Sequence, residues 1–201
     1  MWSLLLVPTL MVVYDFFKFP IDTLYFQNPM RPLCGIRNTF RDLIHFNSEC
    51  SVKNYPGLML IKFHFHKIKV EFEAVHPTLK KRYYHDVSPW FEKNENYYFY
   101  KIKDFPMLSS LVKQIPCIDT QVAAFAVSEG PMILHPHRAE SNRLLRYHIT
   151  IHGGGECTLY TESGSHQHAE GEEFIFDHSR YHELVKTGEG KRVVLILDVN
   201  R

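Results

Sequence analysis

The chain carries almost no net charge: 23 Lys and Arg stand against 22 Asp and Glu, a balance of +1. A nucleic-acid binder needs a strong basic excess to neutralise phosphates, so this balance argues against that class. Cysteine is scarce too. Cys34, Cys50, Cys117 and Cys157 lie far apart with no CxxC spacing, which signals neither a zinc ribbon nor a disulfide scaffold. Reduced thiols in a cytosol-like compartment are the expectation. Long apolar runs are missing as well. The one uncharged apolar stretch, Met1 to Tyr14, is interrupted by Pro8 and closed by Asp15 and Lys18. A spanning helix takes roughly 20 apolar residues, and a signal peptide wants a basic start and a small-residue cleavage site. The stretch therefore reads as a buried or interfacial segment. It allows weak membrane association through residues 1–14 and a location that is cytoplasmic or peripheral to a membrane. No internal repeat or low-complexity tract occurs.

What is present is histidine. Thirteen of them occur, and most fall in close pairs: His64/His66, His135/His137, His148/His152, His166/His168 and His178/His182. A lone histidine says little; five close pairs in one chain point to a metal site without saying which pair holds it. At 201 residues and 45% hydrophobic content the chain is long enough to bury one real core.

The order along the chain divides it at about residue 58. Residues 1–57 hold the apolar segment and a Pro- and Asn-rich stretch that reads as an irregular connection, with a short helix near Thr39–Phe46. Residues 58–201 form the globular unit. Ile61, Phe65, Ile68, Phe72 and Val75 recur at helical spacing up to Pro77, and Phe105 to Ile115 repeats the pattern. Trp90 and the run Tyr97–Tyr100 suggest an aromatic strand. After Pro116 short strands are expected at Val122–Val127, Leu144–Ile151, Cys157–Tyr160, Glu173–Phe176 and Arg192–Val199, with turns at 162–165 and 188–190. Helices collected ahead of many short strands predict a mainly β fold with some α. The expected core is a jelly-roll or double-stranded β-helix over about 120–200, braced by N-terminal helices.

Strand alternation singles out the chemistry. Between Leu144 and His152, Leu145, Tyr147, Ile149 and Ile151 point one way; Arg146, His148, Thr150 and His152 point the other. An apolar face backed by an Arg/His/Thr/His face suits a strand lining a polar barrel mouth. Arg192 shares a face with Val194, Ile196 and Asp198, and a guanidinium grips carboxylates at two points. His137 and His182, with Arg192 ten residues beyond the latter, suit a non-haem Fe(II) site that also holds a dicarboxylate.

These residues carry a resemblance. His137, then Leu145-Arg146-Tyr147-His148, then Gly171 through Asp177 and His182-Glu183, then Arg192 to Asp198-Val199, resemble the aspartyl/asparaginyl β-hydroxylase family over about residues 120–200. That family, which includes lipid A hydroxylases, consists of Fe(II)- and 2-oxoglutarate-dependent oxygenases. The resemblance implies that His137 and His182 hold iron. It implies that Arg192 pairs with the far carboxylate of 2-oxoglutarate, assisted by Arg146 and His148, and that O2 is the oxidant. The 58–201 unit is then an oxygenase domain, with Asp177 and His178 beside the metal. The implied substrate is a peptide or protein Asp/Asn side chain, a lipid acyl chain or a small molecule. The chain departs from many such oxygenases at Ala139, two residues past the first histidine, where a carboxylate often ligates the metal; Ala139 cannot.

Three alternatives stand beside this. The stretch from Gly130 to Glu140 also resembles the first motif of cupins, which would use His135, His137, Glu140 and His182. A halogenase is the second, since the non-coordinating Ala139 leaves room for chloride. The third is a non-catalytic binding homologue.

Overall fold

The computed structural model describes residues 2–17, 30–45, 50–86, 93–139 and 141–201. Its strands are β1 (Arg82–Tyr83), β2 (Tyr97–Lys101), β3 (Ile118–Ser128), β4 (Met132–His137), β5 (Leu144–His152), β6 (Cys157–Thr161), β7 (Gly164–Gln167), β8 (Glu173–Phe176), β9 (His182–Lys186) and β10 (Arg192–Asn200). One antiparallel sheet runs β1-β2-β3-β10-β5-β8, the other β4-β9-β6-β7. From β3 onward the chain passes back and forth between the two sheets, only the hairpin β6–β7 staying within one. That winding is a double-stranded β-helix, as the strand spacing implied. β1, β4, β7 and β9 are additions: β1 is two residues long, Pro136 interrupts β4, β7 is a polar run, and β9 is a five-residue strand with one aliphatic pair, so no period of two stands out. His166 lies on β7, opposite Leu159.

β5, inside the larger sheet, buries both of its faces, for different reasons. On β5, Leu145, Tyr147, Ile149 and Ile151 are at most 2% exposed and join the main core beneath the helices. His148 and Thr150, on the other face, are buried inside the barrel. The inner apolar cluster is smaller: Cys157, Leu159, Phe174, Phe176 and Leu184, drawn from both sheets. The barrel is also closed by charge, since Lys186, buried on β9, donates to the carbonyls of Gly130 (2.8 Å) and Gly188.

The helices are α1 (Trp2–Phe17), α2 (Arg31–Ile44), α3 (Met59–Phe63), α4 (Phe65–Val75) and α5 (Pro106–Val112). α3 and α4 are the single helix expected up to Pro77, broken at His64. Their stripe Ile61, Ile68 and Phe72 is fully buried. The Phe72 ring lies 4.8 Å from Phe125 and 6.0 Å from Phe105, centroid to centroid, so helices and sheet share one aromatic cluster. Glu71 of α4 accepts the backbone N–H groups of Met107 and Leu108 at 2.7 and 3.0 Å. A carboxylate from one helix thus satisfies the open N-terminal donors of the next.

The N-terminal segment departs from expectation in two ways. The stretch expected to be irregular contains α2, 14 residues long, and not just a short helix near Thr39. Arg31-Pro32 reads as a break in sequence, yet proline within the first helical turn costs no hydrogen bond and pre-sets φ. α1 continues through Pro8, where Thr9 Oγ1 donates back to Leu5 O at 2.7 Å. Nor is α1 buried: Leu5 is 63% and Leu10 56% exposed. It packs on α2, where Thr39 Oγ1 donates to Met11 O at 3.2 Å. No described helix is long and apolar enough to cross a membrane. All four cysteines are free thiols. Phe46, Trp90 and Glu140 lie outside the described residues.

Candidate active site

β4 and β9 pair so that His137 faces His182 directly across the ladder. The register slips between Leu134 and His137, where Pro136 has no N–H to offer. That bulge brings Leu134 and His137 to the inner side together and leaves His135 exposed. The two inner imidazoles lie 4.3 Å apart, centroid to centroid. His137 Nδ1 donates to His135 O at 2.8 Å, and His182 Nδ1 donates to Arg180 O at 2.9 Å. A carbonyl can only accept, so in both rings the proton sits on Nδ1 and the lone pair on Nε2. Burial, and the neighbouring imidazole, push His182 down to about 3; burial likewise lowers His137. Both are therefore neutral at pH 7, the state a metal ligand needs.

The same cavity holds an unpaired cation. Arg192, 2% exposed on β10, has no carboxylate partner among the described residues, and its Nε has no hydrogen-bond partner. Its contacts are with His168: Nη2 donates to Nε2 at 3.1 Å, and the Nδ1 of that ring lies 3.1 Å from Thr150 Oγ1. A guanidinium only donates, so Nε2 is the acceptor and Nδ1–H donates to Thr150. Burial and the adjacent guanidinium hold His168 neutral. His148, opposite Ile196 on the β5–β10 ladder, also lines the cavity, and both of its ring nitrogens are buried without a partner. A buried charge and orphaned imidazole nitrogens are costly in an apolar barrel unless something polar meets them.

Arg146 lines the cavity too, but its charge is answered. Nε and Nη2 donate to the two oxygens of Asp198 at 2.8 and 3.1 Å, a bidentate pair across the ladder. His152, the last of the polar face read from β5, leaves the group. The register slips between Val193 and Val194, so His152 turns to the helical side and meets Glu73 of α4 at 3.3 Å. The rest of the wall is apolar: Leu134, Leu159, Phe176, Leu184 and Ile196, with Tyr84 and Tyr97 stacked at 5.3 Å.

The loops bearing the two facing histidines are clasped together. Ala139 N–H donates to His178 O at 2.8 Å. Asp177 accepts Ser179 N–H at 3.0 Å and Arg201 Nη1 at 3.0 Å, which commits its carboxylate to the turn and the C-terminus. α2 reaches the same loops: the buried Asn142 donates to Asn38 O at 2.8 Å and to Asp42 at 3.0 Å.

The sequence model described as Aspartyl/Asparaginyl beta-hydroxylase matches residues 63–201. The chain belongs to that family. Solved structures add similarity of chain course. A prolyl-4-hydroxylase from Pseudomonas putida is 11% identical with a TM-score of 0.48, over 70% of this chain and 88% of that one. KdgF from Halomonas sp. is 13% identical with a TM-score of 0.36, over 60% and 95%. The cupin domain of Cnp3 from Schizosaccharomyces pombe is 11% identical with a TM-score of 0.38, over 56% and 71%. No curated protein matches the sequence.

In this hydroxylase-family chain the structure brings together His137, His182, Arg192, Arg146 and His148, all on one cavity. Among the described residues no group of three or more His, Cys, Asp or Glu is placed to hold a metal. Of the cupin set, the Pro136 bulge separates His135 from His137, and Glu140 lies outside the described residues. Sequence reasoning assigned His168 no role in the site and gave Asp198 no partner. Asp198 was within reach, since it shares the inner face of β10 with Arg192; nothing in the order of residues links His168 to Arg192.

Proposed function

We propose that this chain is an Fe(II)- and 2-oxoglutarate-dependent hydroxylase that converts an unactivated C–H of its substrate to C–OH. One observation carries the reading: two neutral imidazoles, each with its Nδ1–H held by a backbone carbonyl, face each other in a cavity shared with a buried guanidinium that has no carboxylate partner among the described residues. Imidazole nitrogen is a ligand type that suits Fe(II), and two such ligands leave coordination positions for co-substrate and O2. Bound iron, with 2-oxoglutarate and O2, supplies the oxidising chemistry, in which R–H becomes R–OH as the 2-oxo acid goes to succinate and CO2.

The chain's own residues bind and orient. His137 and His182 would hold the metal through Nε2, each ring fixed by its Nδ1–H bond to the backbone. Arg192 meets the far carboxylate, and His168 holds the guanidinium in place from behind. His148 offers an imidazole nitrogen to the same ligand. Arg146, its charge answered by Asp198, contributes a fixed polar wall and little net charge. Leu134, Leu159, Leu184 and Ile196 keep water out, which strengthens the Arg192 contact and protects the oxidising step. The substrate classes that remain are a peptide or protein Asp/Asn side chain, a lipid acyl chain and a small molecule.

Anaerobic titration with Fe(II) and 2-oxoglutarate tests the reading. The wild type should show the weak visible charge-transfer band of the chelate, and His137→Ala and His182→Ala should each lose both the band and iron binding. Unchanged iron stoichiometry in either variant ends the assignment. His135→Ala should bind iron as the wild type does, whereas a cupin-type site would lose it. Product analysis with and without chloride separates hydroxylation from halogenation.

A further inference from the structure

The register of the larger sheet sets its side chains in rows. In one row Tyr97 of β2 stands opposite Ser128 of β3, and Ser128 stands opposite Arg192 of β10. Residues paired across an antiparallel ladder point to the same side of the sheet. Tyr97 and Arg192 both line the cavity, so the hydroxyl of Ser128, held between them, is on the cavity side. The residues before it on that face of β3 are Ala126 and Ala124, opposite Val194 and Ile196. The face turns polar only at the row that carries the cation.

That hydroxyl does nothing for the fold. Ser128 is 0% exposed and its Oγ has no hydrogen-bond partner. Its neighbour on the ladder is in the same state, since Arg192 Nε is buried and unpartnered. A buried hydroxyl left unsatisfied costs stability, and alanine would fill the place without that cost. An N–H can only donate and a hydroxyl can donate, so a single anionic group answers both. A carboxylate, with two oxygens and about four acceptor sites, has the capacity.

We propose that Ser128 is a second anchor for the far carboxylate of the co-substrate, its hydroxyl donating there beside Arg192 Nε–H. The pair, and not Arg192 alone, then recognises a dicarboxylic 2-oxo acid. The inference rests on the hydroxylase reading of the cavity and adds a residue of β3 to it. The contact between Arg192 Nη2 and His168 persists when the ligand arrives, because it uses a different N–H.

Calorimetric titration of 2-oxoglutarate into the Zn(II)-loaded protein tests it without turnover, since Zn(II) takes the same imidazole ligands. Ser128→Ala should raise the Kd about tenfold, the lower end for a hydrogen bond to a charged group, and leave Zn(II) affinity unchanged. In a melt of the ligand-free protein the same variant should be at least as stable as the wild type, because its hydroxyl made no bond to lose. A packing role predicts the reverse, a lower melting temperature with the Kd unmoved. Ser128→Cys, close in size and a weak donor, should bind as poorly as the alanine variant. In an Arg192→Lys background Ser128→Ala should cost less than it does alone, since both groups act on one carboxylate. Equal Kd values for wild type and Ser128→Ala, full affinity in Ser128→Cys, or strictly additive losses would each overturn the role of Ser128 and leave the hydroxylase reading standing. A wild type that binds the metal and takes up no 2-oxoglutarate would end that reading, and this inference with it.

Discussion

At the scale of single residues the cavity is decided by which buried charges have an answer. Arg146 has Asp198, while Arg192 has only a neutral imidazole. A buried charged contact to a ligand carboxylate commonly costs about 2–5 kcal/mol when one side is removed. Arg192→Ala should therefore raise the apparent KM for 2-oxoglutarate by roughly two orders of magnitude, at about 1.4 kcal/mol per tenfold. Arg192→Lys should recover part of it, since lysine keeps the charge and loses the planar two-point grip. Fe(II) affinity without co-substrate should stay the same in both, and equal KM values across the three proteins in a succinate assay would remove Arg192 from the site. His168 acts through Arg192. His168→Leu takes away the acceptor that holds the guanidinium, and a hydrogen bond to a charged group is worth about 1.5–3 kcal/mol. A KM rise of about tenfold is expected, with His168→Gln restoring part of it because its amide oxygen can accept. A role confined to packing would instead be met by leucine and leave KM unmoved.

At the scale of elements, strand ends carry the specificity of position. β10 begins at Arg192 because the chain turns tightly against the glycine run that follows β5. Gly154 has φ +69, and a Cβ there would meet Arg192 N at 2.5 Å and Lys191 C at 2.7 Å. Gly154→Ala places an L side chain in the left-handed region, which alone costs about 1–3 kcal/mol. A domain of this length loses about 2–4 °C of Tm per kcal/mol, so a fall of about 5 °C or more is expected in a thermal melt. The clash is with the backbone of Arg192, so the KM for 2-oxoglutarate should rise while Fe(II) binding holds. A variant that melts lower with unchanged KM would show that the glycine serves the turn alone.

At the scale of the molecule, one aromatic cluster joins the helices to the larger sheet, on the side of that sheet away from the cavity. Phe72→Ala empties a fully buried site in that cluster and should cost about 3–5 kcal/mol. Urea unfolding should show a lower midpoint with the slope unchanged; an unchanged midpoint would mean that the helices are not part of the cooperative unit. Alternation within β5 and β10 is local, so the order of residues alone determined that His148 and Arg192 face inward and that Leu145, Tyr147, Ile149 and Ile151 form the outer core. The motifs likewise gave the resemblance to the family and named His137 and His182 as candidates; the β4–β9 register is what sets the two face to face. Other features are set between strands, and these only the tertiary structure decided. The slip at Pro136 chooses His137 over His135, and the slip opposite Val193 sends His152 to the helices. Cross-strand pairing gives Arg146 its carboxylate and leaves Arg192 without one. Proximity of β10 to His168, 24 residues earlier in the chain, makes that histidine the support of Arg192. Alternation tells which way a side chain points while the register holds; a bulge changes the register, and partners across a ladder are fixed by strands far away in sequence.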